Sequence, residues 1–267
     1  MKHLLLAPLF LLLGGGLFAQ GGPVPEDTEV WEPVPEQITP GEGTAPPSDA
    51  IVLFDGENLD QWRKPQFLRE VATIQAIEEQ FQKSFDDFAQ QPADWTVEDG
   101  QIIVKPGSGA IETKMPFGDI QLHIEWLAPT AEDKQGQGYS NSGVFLMGLY
   151  EIQVLNSFEN PTYVNGQAGS VYKQTPPMVN ASRQPGLWQS YDIFFFAPEF
   201  DEDGGVAKPA MVTVIHNGVL IQHAVELQGP TAYVGESSYL PHEAERRLRL
   251  QDHGDPMRFR NIWVRKL

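Results

Sequence analysis

The clearest strand in the sequence reads Asp119-Ile-Gln-Leu-His-Ile-Glu-Trp126. Its apolar residues occupy every second position, and the residues between them are Gln121, His123 and Glu125. Strict alternation of this kind predicts a β-strand that packs one face on a core and carries polar side chains on the other. The stretch therefore indicates a sheet with one apolar and one polar face.

The same pattern recurs along the chain after Trp95. The stretch Tyr150-Glu-Ile-Gln-Val154 alternates in the same way, and two final strands are predicted at 248–252 and 258–264. Between two apolar runs, His216-Asn-Gly-Val219 predicts a hairpin, because Asn-Gly tolerates the positive φ of a type I′ turn. Many short strands at such spacing predict an all-β sandwich or jelly roll.

One segment near the N-terminus has a helical period instead. Apolar residues recur there at three- and four-residue spacing: Phe67, Val71, Ile74, Ile77, Phe81, Phe85 and Phe88. This spacing predicts one inserted amphipathic helix of about six turns that packs one face on the protein. A partner-binding helix is the alternative interpretation.

The N-terminal region predicts export. Residues 1–19 combine a positive start at Lys2 with an apolar run from Leu4 to Leu13, which is typical of a signal peptide and too short to span a bilayer of about 30 Å. Residues 20–49 are rich in Pro, Gly and Glu and predict a disordered or extended leader. Residues 50–267 then form a single domain. We expect a periplasmic or extracellular protein without a membrane anchor.

Charge and residue usage narrow the function classes. The net charge is −18, which is poorly matched to nucleic-acid phosphates or anionic lipid, whereas neutral sugars remain compatible. No cysteine is present, and the six histidines show no zinc-binding spacing, so no cofactor is expected. A calcium ion at Asp201-Glu-Asp-Gly-Gly205 stays open, although that run lacks the EF-hand pattern and is more simply an acidic loop tip.

Several predicted strands carry polar side chains on one face. They are His123 with Glu125, Glu151 with Gln153, Arg249 with Gln251 and His253, and Arg258 with Arg260. If these strands are neighbours, the side chains gather on one sheet face and form a site. The alternative is that each face simply meets water, as half of an exposed antiparallel sheet does. Aromatic residues in predicted loops, Trp62, Tyr139, Tyr172 and Trp188, could stack on sugar rings or belong to the core.

A set of short motifs runs along most of the chain after residue 50. They are Leu53-Phe-Asp-Gly-Glu-Asn-Leu-Asp-Gln-Trp62, Trp95-Thr-Val-Glu-Asp-Gly100, Thr113-Lys114, Phe117-Gly-Asp119, Glu125, Asn141-Ser-Gly-Val-Phe145, Tyr150-Glu-Ile-Gln153, Gly169-Ser-Val-Tyr172, Trp188, Leu250-Gln-Asp-His-Gly254 and Arg258-Phe-Arg-Asn-Ile262. In this order they resemble the 3-keto-disaccharide hydrolase family over residues 51–267. The segment around Phe67 to Phe88 departs from the shortest members of that family.

The resemblance implies a fold and a reaction. The fold is a concanavalin A-like jelly roll of two curved antiparallel sheets with a concave ligand face. The substrates are glycosides whose glucose ring already carries a ketone at C3. That ketone acidifies the C2 hydrogen, so a base can form an enolate, the C1 substituent leaves by β-elimination, and water completes a net hydrolysis. A small carbohydrate is therefore the expected partner.

Such a reaction needs a base, a donor for the enolate oxygen and groups that hold the sugar. Our hypothesis assigns acid or base catalysis to His253, because imidazole titrates in the useful range. Asp252 or Glu125 would orient it, Glu151 is the rival base, and Arg260 or Lys114 would stabilise the enolate. The predicted substrate contacts also include Asn141, Gln153, Tyr172, Trp188, Gln251 and Arg258.

Two other functions remain compatible with the sequence. A non-catalytic carbohydrate-binding module would use the same lectin-like fold, because fold does not settle function. An ordinary glycosidase would use Glu125 and Glu151 as two carboxylates across a cleft.

Overall fold

The computed structural model describes residues 24–65, 73–81 and 91–267. The signal peptide predicted at 1–19 lies outside these residues. Contacts divide the chain into two units, Met1–Gln37 and Ile38–Leu267. The described part of the first unit contains a short 3₁₀ helix at Pro25–Thr28, and the second unit contains all the described strands.

The described strands follow one another in chain order. They are β1 (Ile51–Phe54), β2 (Trp62–Arg63), β3 (Thr96–Glu98), β4 (Gln101–Ile103), β5 (Ile111–Phe117), β6 (Ile120–Leu127), β7 (Asn141–Leu146), β8 (Tyr150–Leu155), β9 (Trp188–Phe196), β10 (Glu199–Phe200), β11 (Val206–Lys208), β12 (Met211–His216), β13 (Val219–Glu226), β14 (Arg246–Leu250) and β15 (Arg258–Lys266). The described helix α1 spans Ile74–Phe81.

The strands form two main antiparallel sheets. The larger sheet has eight strands in the order β13-β12-β9-β6-β15-β4-β3, and β1 also pairs with β15. The smaller sheet has five strands in the order β2-β5-β14-β7-β8, while β10 and β11 form a separate hairpin. The predicted strand Asp119–Trp126 is β6, which lies in the middle of the larger sheet.

The core lies between the two sheets. Alternate residues of β6, among them Leu122, are fully buried, as are Ile152 and Val154 of β8. The Tyr191 hydroxyl of β9 donates a hydrogen bond of 2.8 Å to the Gln153 carbonyl of β8, which ties the sheets together. The predicted all-β class is confirmed, and the two facing sheets are consistent with a sandwich. The jelly-roll winding stays a prediction.

The helix is described for only part of its predicted length. In α1 the Ile77 side chain is buried in the core, whereas Glu78 and Glu79 are exposed. This division fits an amphipathic face. The remainder of the segment predicted between Phe67 and Phe88 lies largely outside the described residues, so its full extent stays a prediction.

Residues 38–49, which the sequence assigns to the leader, contact the larger sheet. Thr39 and Ser48 hydrogen-bond each other through two bonds of 3.0 Å. The Asp49 carboxylate accepts a hydrogen bond of 2.7 Å from Arg265 on β15. The domain boundary itself stays a prediction. Within the described residues, no helix has the length and apolarity that a membrane span requires.

Candidate functional site

The polar strand faces separate into two groups. In the larger sheet, Arg260 of β15 stands opposite Glu125 of β6. In the smaller sheet, β8 and β14 lie on either side of β7. Because the alternate residues of all these strands fill the core, their polar side chains point away from it on opposite sides of the sandwich. The hypothesis that all four polar faces meet on one sheet is therefore wrong.

On the larger sheet, Glu125 is saturated with partners. Its carboxylate accepts hydrogen bonds from Thr44 at 2.9 Å, Asn261 at 3.0 Å and Arg260 at 2.6 Å. Burial raises the pKa of Glu125, but the hydrogen bonds from these three residues outweigh burial and bring the pKa below its usual value. Glu125 is therefore an ionised, structurally engaged carboxylate.

The neighbouring His123 is held through one ring nitrogen only, because its Nε2 has no hydrogen-bond partner among the described residues. His123 lies 2.6 Å from Asp192 through Nδ1, stacks on Trp263 at 5.2 Å and is only 1% exposed. The imidazole beside Glu125 is thus His123, at 3.6 Å, rather than His253. The His123–Asp192 contact links the neighbouring strands β6 and β9.

Three further predicted residues share this surface. The Arg260 guanidinium lies over the Trp188 ring, 4.0 Å from its centroid. Arg258 donates a hydrogen bond of 3.1 Å to Gln101. Glu125, Arg258, Arg260 and Trp188 therefore belong to one braced polar surface on the larger sheet, away from Glu151.

On the smaller sheet, two glutamines flank Gly143. Gln153 stands opposite Gly143 in the β7–β8 pairing, and the backbone amide of Gln251 donates a hydrogen bond of 3.1 Å to the Gly143 carbonyl. The side-chain oxygen of each glutamine is buried and has no hydrogen-bond partner among the described residues. Buried polar atoms without partners are costly. Two of them around one glycine indicate a place that hydroxyl donors of a ligand would fill.

Glu151 reaches into the same place. It is 4% exposed and lies on the same side of β8 as Gln153, two residues away. A Cβ added to Gly143 would lie 2.6 Å from Glu151 Oε1, so the carboxylate passes directly over the glycine. Gly143 is required here for space, which only a residue without a side chain provides.

Two tyrosines adjoin Glu151. The Tyr172 amide donates to the Glu151 carbonyl at 3.1 Å, and the Tyr172 and Tyr163 hydroxyls are 2.6 Å apart. Burial raises the pKa of both phenols, and the charge of Glu151 adds to the increase. Both therefore stay protonated and can donate. Tyr163 escaped the sequence prediction because it lies in a loop without a repeating pattern.

Gln137 orients the side-chain amides of Gln153 and Asn141. It accepts a hydrogen bond from Gln153 at 3.0 Å through its side chain, and its carbonyl accepts one from Asn141 at 2.9 Å. The Asn141 backbone amide donates to Asp255 at 3.1 Å. Gln137 lies in a short 3₁₀ helix, Gly136–Gly138, so strand alternation could not reveal it.

His253 lies on the loop between β14 and β15. It is exposed and follows Gln251 by two residues. Asp252 does not orient it, since its carboxylate accepts the amides of Gly109 at 3.0 Å and Gly254 at 2.9 Å. Lys114 is exposed on β5, which β14 separates from β7, so that its strand lies roughly 10 Å from Gly143.

Metal ligands do not cluster in the described ranges 24–65, 73–81 and 91–267, where no group of three or more His, Asp or Glu side chains could hold an ion. In the acidic run predicted as a calcium candidate, Asp201 instead accepts the backbone amides of Asp203 at 3.0 Å and Gly205 at 2.7 Å. Its carboxylate closes the loop tip.

The chain is similar to one described family and to proteins of known structure. Residues 49–265 match the family described as the 3-keto-alpha-glucoside-1,2-lyase-like domain. A crystal structure from Parabacteroides distasonis, of a protein provisionally described as a glycosyl hydrolase, is 42% identical with a TM-score of 0.79, over 91% of this chain and 97% of that one.

A second structure from the same organism, with the same provisional description, is 16% identical with a TM-score of 0.55, over 82% of this chain and 94% of that one, and shows the fold alone. No curated protein matches the chain. Because the family match covers most of the chain, as the motifs predict, the chain belongs to the 3-keto-disaccharide hydrolase family.

Proposed function

We propose that this protein cleaves 3-keto-glycosides by removing the C2 proton and eliminating the C1 substituent, after which water completes a net hydrolysis. The observation that carries the proposal is the placement of the Glu151 carboxylate over Gly143, a glycine flanked by Gln153 and Gln251, whose side-chain oxygens have no partner among the described residues. Family membership and the resemblance to a provisional glycosyl hydrolase support a glycoside as the substrate.

Glu151 is the base in this proposal. A C3 ketone makes the C2 hydrogen acidic, and a shielded carboxylate within reach of it can accept that proton. Glu151 is shielded and stands among polar groups, whereas His253 is exposed on the loop that follows Gln251. We therefore assign the C2 proton to Glu151 and place His253 where the departing C1 oxygen collects its proton.

The tyrosine pair supplies the donor for the enolate. When the C2–H electrons move toward C3, negative charge develops on the C3 oxygen, and a fixed hydroxyl aimed at it stabilises that charge. Tyr172 is 8% exposed, shares a hydrogen bond with Tyr163 and adjoins Glu151. Collapse of the enolate restores the ketone, forms the C1–C2 double bond and releases the C1 oxygen.

The two glutamines hold the sugar. Their unpartnered side-chain oxygens can accept hydrogen bonds from ring hydroxyls, and Gln137 fixes the orientation of Gln153. Amide oxygens held in this way select hydroxyl donors by position rather than by charge. This suits a neutral sugar and a protein whose net charge is −18.

The test is a timed incubation of the protein with methyl 3-keto-glucoside and with its unoxidised parent, followed by mass spectrometry, with and without added divalent cations. We expect cleavage of the keto compound only. Replacing Glu151 by Gln should abolish it, and activity retained in E151Q would reject Glu151 as the base.

A second substrate separates the role of His253. A 4-nitrophenyl leaving group departs without a proton, so H253A should cleave 4-nitrophenyl 3-keto-glucoside nearly as fast as the parent protein while losing about 100-fold on the methyl glycoside. Equal losses on both substrates would contradict our assignment of the departing oxygen to His253.

A carbohydrate-binding module is the second candidate, because the amides and tyrosines on the smaller sheet could bind a sugar without acting on it. Binding of the keto-glucoside without cleavage under every condition would favour it. The two-carboxylate glycosidase has no support, since Glu125 is ion-paired with Arg260 on the opposite side of the sandwich from Glu151.

The proposal includes export to the periplasm or the outside of the cell, on the basis of the signal peptide predicted at 1–19. Cell fractionation with an antibody to the protein tests it, and recovery of the uncleaved chain from the cytoplasm would contradict it.

A further inference from the structure

A row of side chains crosses the outward face of the smaller sheet. Residues that stand directly opposite each other on neighbouring strands lie on the same face, so the pairings define which side chains share it. The row runs over five strands: Glu151 on β8, Phe145 on β7, Arg249 on β14, Glu112 on β5 and Arg63 on β2. It therefore leads from the proposed base to a group of charged residues on the same face.

The far end of this row gathers guanidinium groups around one carboxylate. Arg63 lies 2.7 Å from Glu112, and both side chains are more than nine-tenths buried. Arg247 lies 3.8 Å from the same carboxylate oxygen, and Arg249 stands opposite Glu112 in the strand pairing. Three guanidinium groups are more than the charge of Glu112 balances, so these four residues together carry positive charge in a chain whose net charge is −18.

Arg247 has hydrogen-bonding capacity that the described residues leave unfilled. Its Nε is buried and has no hydrogen-bond partner among them, since the 3.8 Å to Glu112 is too long for a hydrogen bond. Burial lowers the pKa of Arg247, and the charges of Arg63 and Arg246 lower it further, against the opposite effect of Glu112. A buried donor in positive surroundings is best satisfied by an acceptor that carries negative charge.

The four residues divide into a buried pair and two guanidinium groups that a ligand can reach. The Arg63–Glu112 pair is enclosed and ties β2 to β5. The Arg247 side chain is 34% exposed, and Arg249 is half-buried with its Cζ 6.0 Å from the centroid of the Phe145 ring. The buried pair therefore supports the cluster, while Arg247 and Arg249 are open to the outward face.

The position of the row relative to Glu151 selects the part of a sugar that meets the arginines. In the proposed function Glu151 takes the C2 proton and Tyr172 meets the C3 oxygen from the edge of β8 that β7 does not occupy. The ring atom opposite C2 is C5, so its C6 substituent points away from Glu151, across Phe145 toward Arg249. Two strand spacings, roughly 10 Å, separate β8 from β14, which a pyranose ring with its C6 group and a contact at each end spans.

We propose that Arg247 and Arg249, supported by Arg63 and Glu112, form a subsite for an anionic group on C6 of the reacting sugar, a carboxylate or a sulfate ester. The placement at C6 rests on the proposed function, whereas binding of an anionic sugar at this face does not. The ring hydroxyls that meet the glutamines stay neutral, so an uncharged 3-keto-glucoside remains a substrate. The preferred substrates are then 3-keto-hexuronides or 6-sulfated 3-keto-glucosides.

The test compares binding in the E151Q background, where turnover is blocked. Calorimetry would measure the affinities of methyl 3-keto-glucoside, its 6-sulfate and the methyl glycoside of 3-keto-glucuronic acid. At least one anionic compound should bind about tenfold more tightly than the neutral one, and this preference should shrink between about 0.05 and 0.5 M salt. Adding R247Q should abolish the preference, whereas R247K, which keeps the charge, should retain part of it.

Controls separate recognition of the anion from folding. K208M removes the same charge from the hairpin β10–β11, where Lys208 pairs with Glu199, and should leave the preference intact. The loss in R247Q should fall on the anionic compounds, whereas a merely structural role for Arg247 would lower the melting temperature and weaken all three ligands together. R249Q is the second variant, and the same selective loss is expected from it where R247Q does not fold.

Three outcomes would overturn the subsite. One is equal affinity for the neutral compound and both anionic ones, and another is a preference that survives in both R247Q and R249Q. The third is a preference for 4-carboxyphenyl over 4-carbamoylphenyl 3-keto-glucoside without any preference at C6, which would place the anion on the departing group.

The same measurements identify the anion and keep the two proposals apart. Tighter binding of the carboxylate alone assigns a uronic acid, and tighter binding of the sulfate alone assigns a sulfated sugar. Because affinities are measured, they decide the subsite even where the parent protein cleaves nothing, so a failure of the proposed function is recognised separately. Absence of binding by all three compounds would reject the subsite and the sugar site together.

Discussion

The outward faces of the two sheets look alike in sequence and differ in how their polar groups are satisfied. On the larger sheet, Glu125 accepts hydrogen bonds from three residues and is covered by the segment that includes Thr44. On the smaller sheet, Gln153 and Gln251 each keep a buried oxygen without a partner among the described residues. His123 Nε2 on the larger sheet is also buried without a hydrogen-bond partner among the described residues, so the contrast lies between the saturated Glu125 carboxylate and the two glutamine oxygens beside Gly143.

The largest effect should come from exchanging the two carboxylates for amides. E151Q should lower kcat on a 3-keto-glucoside by about 1,000-fold, because the base that takes the C2 proton is lost. E125Q should leave kcat within about twofold, because catalysis of this kind needs only groups that reach the substrate. Steady-state kinetics on both variants would check this, and equal losses would erase the distinction between the faces.

The second effect concerns the space over Gly143. An alanine there would place its Cβ 2.6 Å from Glu151 Oε1 and 2.9 Å from Phe145 Cε2, so the carboxylate would have to move. Because a displacement of about 1 Å can cost roughly 100-fold in rate, G143A should lose about that much activity while remaining folded. The matched control is G138A, since a Cβ on Gly138 meets nothing within 4 Å. Unchanged kinetics in G143A would show that Glu151 does not act from its observed position.

The sequence predicted the strands well and their partners poorly. Alternation is local, so the polar sides of β6 and β8 could be seen in the residues around Glu125 and Glu151. Which sheet each strand joins depends on pairing between distant segments, which a local pattern does not reveal. In the structure β15 pairs with β6, so Arg260 lies beside Glu125 and not beside Glu151. The polar sides of β6 and β8 have the same sequence pattern and were interpreted together, although they lie on opposite sides of the sandwich.

Sequence periodicity could not identify the loop residues of the site. Gln137 and Tyr163 complete the smaller-sheet site, yet they lie in irregular segments where no period marks which way a side chain points. Thr44 was hidden for a different reason, since its Pro- and Gly-rich surroundings resemble a disordered leader. The family motifs supplied Asn141, whereas alternation had already marked Gln153 and Gln251 as polar strand positions without deciding between a site and a solvent-facing surface.

The third effect is on stability and its dependence on pH. The pKa of Glu125 lies below its usual value of 4.5 in the folded protein, so its contribution is complete above that value and is lost as the pH falls through the lower folded pKa. E125Q should lower the free energy of unfolding by about 1–3 kcal/mol at pH 7 and flatten this acid dependence. Urea unfolding at pH 7 and between pH 5 and pH 3 would measure it, and an unchanged acid profile would contradict the assignment.

The smallest effect tests whether residues 38–49 belong to the folded surface. Thr44 donates to Glu125 through its hydroxyl, while its carbonyl accepts from Asn261 at 2.9 Å and Trp263 at 3.0 Å. Replacing Thr44 by Val removes only the hydroxyl and keeps the shape, so the free energy of unfolding should fall by about 1 kcal/mol. Catalysis should not change, because this surface lies on the opposite side of the sandwich from Glu151. A drop in kcat in T44V without a loss of stability would mean that the larger sheet takes part in the reaction. The larger-sheet face would then be a functional surface and not a structural one.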